Sequence, residues 1–194
     1  MTKTGIYGGS FNPIHNGHLA IARQMLTKAG LDEVWLMVSP QNPLKSADGL
    51  LDDDKRLLMA RTALQGERHI AASDYEFRLP RPSYMWNTLQ HLQHDYPDRE
   101  FTLLIGADNW AVFHRWHRAD DIIAHYPIAV YPRTGYPVSA DGLPPTVRLI
   151  DTGLYDVSST QVRQMIAHGE SIDSLVPESI AAMARDFYSP GGAR

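Results

Sequence analysis

At 194 residues, with 43% hydrophobic and 21% charged content, the chain can fill one α/β core and is short for two. A formal charge of −4 at pH 7 excludes a general nucleic-acid-binding face, so any anion must be held by a local cluster. With no cysteine there are no disulfides or thiolate metal sites, and no stretch is long and apolar enough for a membrane span or signal-peptide core, so a cytoplasmic protein without a membrane partner is expected.

Residues 3–7 read as a short buried strand ending on Gly8 and Gly9, after which Leu19, Ala22, Leu26 and Ala29 repeat at helical spacing up to Gly30. Strand, tight turn and helix in that order suit a phosphate. Glycines let the backbone come close, and the free N–H groups of a helix start favour negative charge. His15 and His18 are three apart and share one helix face, so both rings can address the same phosphate, as hydrogen-bond donors and as positive charges. The turn itself, Gly8-Gly9-Ser10-Phe11-Asn12-Pro13, fits neither the G-x-G-x-x-G nor the Walker pattern.

Residues 33–39 form a second strand, stopped by Pro40. Residues 41–54, which carry Lys45 and three consecutive aspartates, read either as an active-site flap or as an inert surface loop. Asp52 or Asp53 caps a helix that turns Leu57, Ala60 and Leu64 inward, and residues 69–73 follow as a short strand. The stretch 74–82 is charged and broken by proline; Ser83 is the expected N-cap of a helix with Met85, Leu89, Leu92 and Tyr96 towards the core. Residues 101–105 are the clearest strand, ending at Gly106, with Asp108 just beyond its carboxyl end, where ligands sit in open parallel sheets. Asp108 is then either a ligand contact or a helix cap.

Helical pieces at 109–113 and 119–125 lead to strands at 128–131 and 146–150. Ser158 or Ser159 caps a helix running through Val162 and Ile166 to Gly169, and a last helix from Pro177 sets Ile180, Met183, Ala184 and Phe187 on one face. The expected organisation is one domain over 1–188 with a fraying tail at 189–194. Apolar strands alternating with helices predict a Rossmann-like, doubly wound, mainly parallel sheet with helices on both faces. Ser158, Ser159, Thr160 and Arg163 group hydroxyls, helix-start N–H groups and a guanidinium, which suits either a polyphosphate or a plain helix cap. Trp116, with Phe113 and Tyr84 in reserve, offers either an aromatic stacking face or core filling.

The string from Gly8 to His18 resembles the (H/T)-x-G-H signature of the nucleotidyltransferase superfamily, and with Pro13 and two histidines it is most similar to the bacterial nicotinate-nucleotide adenylyltransferases. The resemblance continues through Asn42-Pro43-Leu44-Lys45, Pro82-Ser83-Tyr84, Ile105-Gly106-Ala107-Asp108, Trp116, Arg133-Thr134-Gly135-Tyr136-Pro137 and Val157-Ser158-Ser159-Thr160-Gln161-Val162-Arg163, over nearly the whole chain. It implies adenylyl transfer from ATP to nicotinate mononucleotide, with His15, His18, Lys45 and Arg163 at the reacting centre. ATP would then be held by Gly8, Gly9, Ser10, Phe11, His15, His18, Gly106, Asp108, Ser158, Ser159, Thr160 and Arg163. The mononucleotide would meet Lys45, Ser83, Tyr84, Met85, Thr88, Trp116, His117 and Arg133, with backbone N–H groups of Met85 and His117 reading the carboxylate. Two departures stand out: Met85 where the family often has Thr, and Val157 where it has Ile. Mg²⁺ would be held mainly by the ATP phosphates, with no dedicated protein metal site. A phosphopantetheine adenylyltransferase and a catalytically silent nucleotide sensor are the alternatives, and both monomer and homo-oligomer stay open.

Overall fold

A computed structural model describes residues 1–41 and 49–190 of the protein. Among the described residues the strands are β1 (Thr2–Gly9), β2 (Glu33–Val38), β3 (Ile70–Ser73), β4 (Arg99–Gly106), β5 (Ile128–Tyr131) and β6 (Val147–Leu149). They form one sheet in the order β3-β2-β1-β4-β5-β6, and each pairing is parallel. The helices are α1 (Asn16–Lys28), α2 (Asp53–Ala63), α3 (Met85–Asp95), α4 (Ala107–Ala111), α5 (Ala119–His125), α6 (Ser159–Ala167) and α7 (Glu178–Tyr188). The expected doubly wound architecture is present, and the sheet is parallel throughout.

Successive residues of a strand point to opposite faces, and here each face has its own core. Leu104 of β4 with Ala129 and Tyr131 of β5 pack towards α1, α2, α6 and α7. Phe101, Leu103 and Ile105 with Ile128 and Val130 pack towards α3 and α5. Two helices close on left-handed glycines: Gly30 (φ +69°) and Gly169 (φ +71°) let the following N–H groups reach back to Leu26 and Met165. No helix among the described residues is long and apolar enough to cross a membrane.

Local boundaries differ from the expectation in instructive ways. The cap position of α3 is Tyr84 rather than Ser83, and it carries no side-chain capping bond. Residues 75–78 form a 3₁₀ turn that the proline-broken stretch did not announce. The first helix after β4 covers Ala107–Ala111 rather than 109–113, and the last strand shortens to Val147–Leu149. Asp52 occupies the α2 cap without a side-chain capping bond, while Asp53 pairs with Arg56 and Arg81.

Arg56 is the least expected core residue, with no exposed surface at all. Its Nε donates to the Leu51 carbonyl at 2.8 Å, Nη1 to Ser10 at 2.6 Å and Ser39 at 2.8 Å, and Nη2 to the Asp53 carboxylate at 2.6 Å. One planar fork thus pins the turn after β1, the end of β2 and the start of α2. Burial lowers its pKa, and Asp53 opposes that shift.

Arg56→Met leaves the carbonyls of Leu51, Ser10 and Ser39 without their donor and takes one of two guanidinium partners from Asp53, so we expect a stability loss of about 3 kcal/mol or more in urea unfolding. Arg56→Lys should recover only part of it, because an ammonium cannot fork between these acceptors.

Candidate active site

Strand order reverses at β1: β2 and β3 lie on one side, and β4, β5 and β6 on the other. Chains leaving the carboxyl ends of β1 and β4 therefore turn to opposite faces and open a crevice between them. Two adjoining cavities, of about 380 and 410 Å³, occupy it. Gly8, Gly9, Asn109 and Tyr131 line both.

The first cavity joins the two motifs that the sequence holds furthest apart. Gly8, Gly9, Ser10, Phe11, His15 and His18 line it together with Ser158, Ser159, Thr160 and Arg163. Direct bonds fix the join: the Ser159 hydroxyl donates to the Pro13 carbonyl at 2.8 Å, and Arg163 Nη1 donates to the Asn12 carbonyl at 2.6 Å. Ser158, not Ser159, caps α6, its Oγ accepting from the Gln161 N–H at 3.1 Å. Ser159 is thereby left to tie the motifs together.

His15 and His18 stack with centroids 3.6 Å apart and planes 22° apart. His15 is only 3% exposed, and burial, then the nearby Arg133, drives its pKa down to about 3. The expectation of two positive imidazoles is corrected for His15, which is a neutral ring at physiological pH. The His15 backbone N–H donates to His18 Nδ1 at 3.2 Å, so Nδ1 is an acceptor and the neutral His18 ring carries its proton on Nε2. Phe11, at φ +45°, sets its ring edge-on to His18 at 5.0 Å.

Gly106 lines neither cavity but lies beneath the first. A Cβ there would fall 2.3 Å from Asp108 Oδ1 and 3.1 Å from both Arg133 Cγ and the Tyr131 ring. The cap position of α4 is Gly106, so Asp108 stands in the first turn and is not the cap. Its Oδ1 is buried without a hydrogen bond, 3.6 Å from Arg133 Nε. Such a carboxylate is ready for hydroxyl donors. Arg133, which the resemblance put on the mononucleotide side, lines the first cavity rather than the second.

Ser83, Tyr84, Met85, Trp116 and His117 line the second cavity over a floor of Leu103, Leu104 and Ile105. Tyr84 and His117 rings lie 4.8 Å apart, and Trp116 rests on the buried Phe113 at 4.9 Å. Because α3 has no side-chain cap, its first-turn N–H groups, beginning with Met85, stand unspent at the cavity edge. Thr88 lines neither cavity; it is buried under α3, donating to Glu76 Oε1 at 2.8 Å.

Glu76 itself was invisible in the sequence, inside a stretch that reads as irregular. It lines the second cavity, accepts from the Ser39 hydroxyl at 2.9 Å, and joins the end of β2 to α3. Burial raises its pKa, opposed by Thr88, Ser39 and Ser83. Lys45 lies outside the described residues. Among those described, no three His, Asp or Glu side chains converge as a metal cage.

The cytidylyltransferase-like family model matches residues 6–165. A Bacteroides fragilis protein named "Probable nicotinate-nucleotide adenylyltransferase" is 48% identical over 88% of this chain and 85% of its own. Its Bacteroides thetaiotaomicron namesake is 45% identical over 95% and 92%. Among solved structures, the Plasmodium falciparum nicotinic acid mononucleotide adenylyltransferase complexed with NaAD aligns with a TM-score of 0.79 at 18% identity, covering 96% of this chain and 98% of that one. At that identity the likeness carries the fold.

The depressed His15 pKa means that the unfolded chain binds the extra proton between about pH 6.5 and 3, so His15 stabilises the fold above that window and the contribution is lost as pH falls through it. Unfolding free energy should drop by up to ~1.4 kcal/mol per pH unit from this group. His15→Asn should flatten that slope in urea titrations at pH 6.5, 5.5 and 4.5. Gly106→Ala must displace Asp108, and should raise KM for ATP about tenfold or more if Asp108 holds the ribose.

Proposed function

The chain belongs to the cytidylyltransferase-like family and, within it, to the nicotinate-nucleotide adenylyltransferases, and from that premise we propose how its crevice performs the reaction. The enzyme transfers the adenylyl group of ATP to nicotinate mononucleotide, giving nicotinate adenine dinucleotide and pyrophosphate. The observation that carries this reading is the pair of joined cavities: one lined by histidines, hydroxyls and guanidinium, the other by aromatic rings, meeting at Gly8 and Gly9.

The triphosphate lies in the first cavity against His15, His18, Ser158, Ser159, Thr160 and Arg163, with the ribose hydroxyls on Asp108. The pyridine ring lies in the second, beside Trp116 and Tyr84, its carboxylate on the open N–H groups at Met85 and His117. Side-chain substitution at Met85 leaves such a backbone contact in place. The mononucleotide phosphate then faces the α-phosphorus across the shared glycines. It is already ionised, so no protein base is required.

One P–O bond forms from the 5′-phosphate oxygen to the α-phosphorus, and the bond from that phosphorus to the bridging β-oxygen breaks. Neutral His18, with its proton on Nε2, donates to the phosphate oxygens as charge grows there. Lys45, outside the described residues, is the residue to which the family resemblance assigns a further positive charge in this reaction. Among the described residues the first cavity is lined by a single carboxylate, Asp108, beside Arg133, which suits Mg²⁺ arriving on the triphosphate and its waters rather than a resident ion. Bound in that way, the ion neutralises phosphate charge.

The test is ATP offered with nicotinate mononucleotide, nicotinamide mononucleotide or phosphopantetheine, scored for adenylylated product and pyrophosphate. Nicotinate adenine dinucleotide should dominate, and His18→Ala should cut kcat by roughly two orders of magnitude. Adenylylated phosphopantetheine would favour that alternative, and ATP binding without pyrophosphate release would mark a sensor.

A further inference from the structure

Tyr7 on β1 and Tyr131 on β5 carry buried hydroxyls that the reaction described above leaves unused, only 3% and 5% of each residue being exposed. Tyr131 pairs with Gly106 of β4 in the sheet, and its ring crosses above that glycine, where a Cβ would come within 3.1 Å of it. It meets Tyr7 edge-on at 5.8 Å. The Tyr131 hydroxyl donates to that of Tyr7 at 3.3 Å, and among the described residues neither oxygen makes another hydrogen bond.

A proton count follows. Two phenols hold two hydroxyl hydrogens, and the bond between them uses one, whichever ring donates. One buried O–H is therefore unspent. Tyr7 lines the first cavity and Tyr131 lines both, so the two residues that share this donor stand where the cavities meet. Burial raises both phenol pKa values, which keeps the pair neutral and free of the repulsion a phenolate would exert on an anion.

We propose that the Tyr7–Tyr131 hydroxyl pair is a further catalytic element, donating its spare hydrogen to a non-bridging oxygen of the reacting phosphate where the two cavities meet; this rests on the adenylyl-transfer reading. The two rings act as one donor relay: Tyr131 bridges the cavities, and Tyr7 holds its hydroxyl, with the Tyr7 and His18 ring centroids 6.2 Å apart.

Tyr7→Phe, Tyr131→Phe and the double variant remove oxygen while keeping the rings, and thermal midpoints confirm the fold. Each single change should lower kcat about tenfold or more while KM for nicotinate mononucleotide stays within about twofold. The double variant should be no slower than the worse single, since the pair supplies one donor. A kcat within about twofold of wild type in both singles overturns the proposal. Calorimetry with ATP and with adenosine separates this inference from the functional reading. If the wild type makes no dinucleotide, that reading fails, and the hydroxyl pair is then judged on binding alone. ATP affinity reduced severalfold with adenosine affinity unchanged supports a phosphate contact; equal losses on both ligands, or none, overturn it.

Discussion

The reversal of strand order at β1 governs the rest of the molecule. A parallel sheet built outward from β1 in both directions must send the segments after β1 and β4 to opposite faces, and right-handed crossovers leave no other arrangement. Both strands end in glycine, and the end of β1 at Gly8 and Gly9 is left open to the crevice while Gly106 of β4 is covered by Asp108, Arg133 and Tyr131. Gly8 and Gly9 serve two cavities at once, and neither could carry a Cβ without meeting a neighbour at 2.9 Å, the Met85 methyl over Gly8 and the Phe11 ring over Gly9. Arg56 makes this opening rigid. Its guanidinium binds the carbonyls of Ser10 and Ser39, so the turn after β1 and the end of β2 are held by a group that neither water nor ligand reaches.

An anion site in a chain of net charge −4 cannot rely on long-range attraction. Its cations are largely committed within the protein. Arg163 is bonded to the Asn12 carbonyl and the Thr160 hydroxyl, and Arg133 stands against Asp108. His15 is neutral through burial and through Arg133 itself. Beside these committed charges the described residues add an array of fixed dipoles: imidazole and hydroxyl hydrogens and backbone N–H groups on helix starts. Preorganised donors of this kind need not reorient as phosphate charge shifts from one bridge to another, and in a low-dielectric crevice they act more strongly than in water.

Features set by neighbours in the chain were legible in the sequence. The strand-turn-helix at Gly8 to His18, the helix stops at Gly30 and Gly169 and the alternation of strands with helices all follow from short-range pattern. Ser83 shows where such reasoning ends, because a serine before a helix resembles a cap, yet tertiary burial placed its hydroxyl near Glu76 and moved the cap to Tyr84. Glu76 and Arg56 carry no local signal, since charged residues are normally exposed and only the packing of distant elements encloses them. The neutral state of His15 has the same origin: residue type gives a pKa near 6.5, and the fold supplies the burial that moves it.

Unmet polar groups trace the crevice independently of any motif. Among the described residues, the buried side-chain atoms without a hydrogen bond are His15 Nδ1, Ser83 Oγ, Asp108 Oδ1, Trp116 Nε1 and Arg99 Nε. The first four belong to residues that line the two cavities; Arg99 Nε lies apart, 3.5 Å from a Glu33 oxygen. Buried polar groups are normally paired, so their concentration at the two cavities marks the crevice apart from the rest of the core. Their chemistry is also sorted in space, with a ring nitrogen at the phosphate end, a carboxylate at the sugar position and an indole N–H beside the aromatic wall.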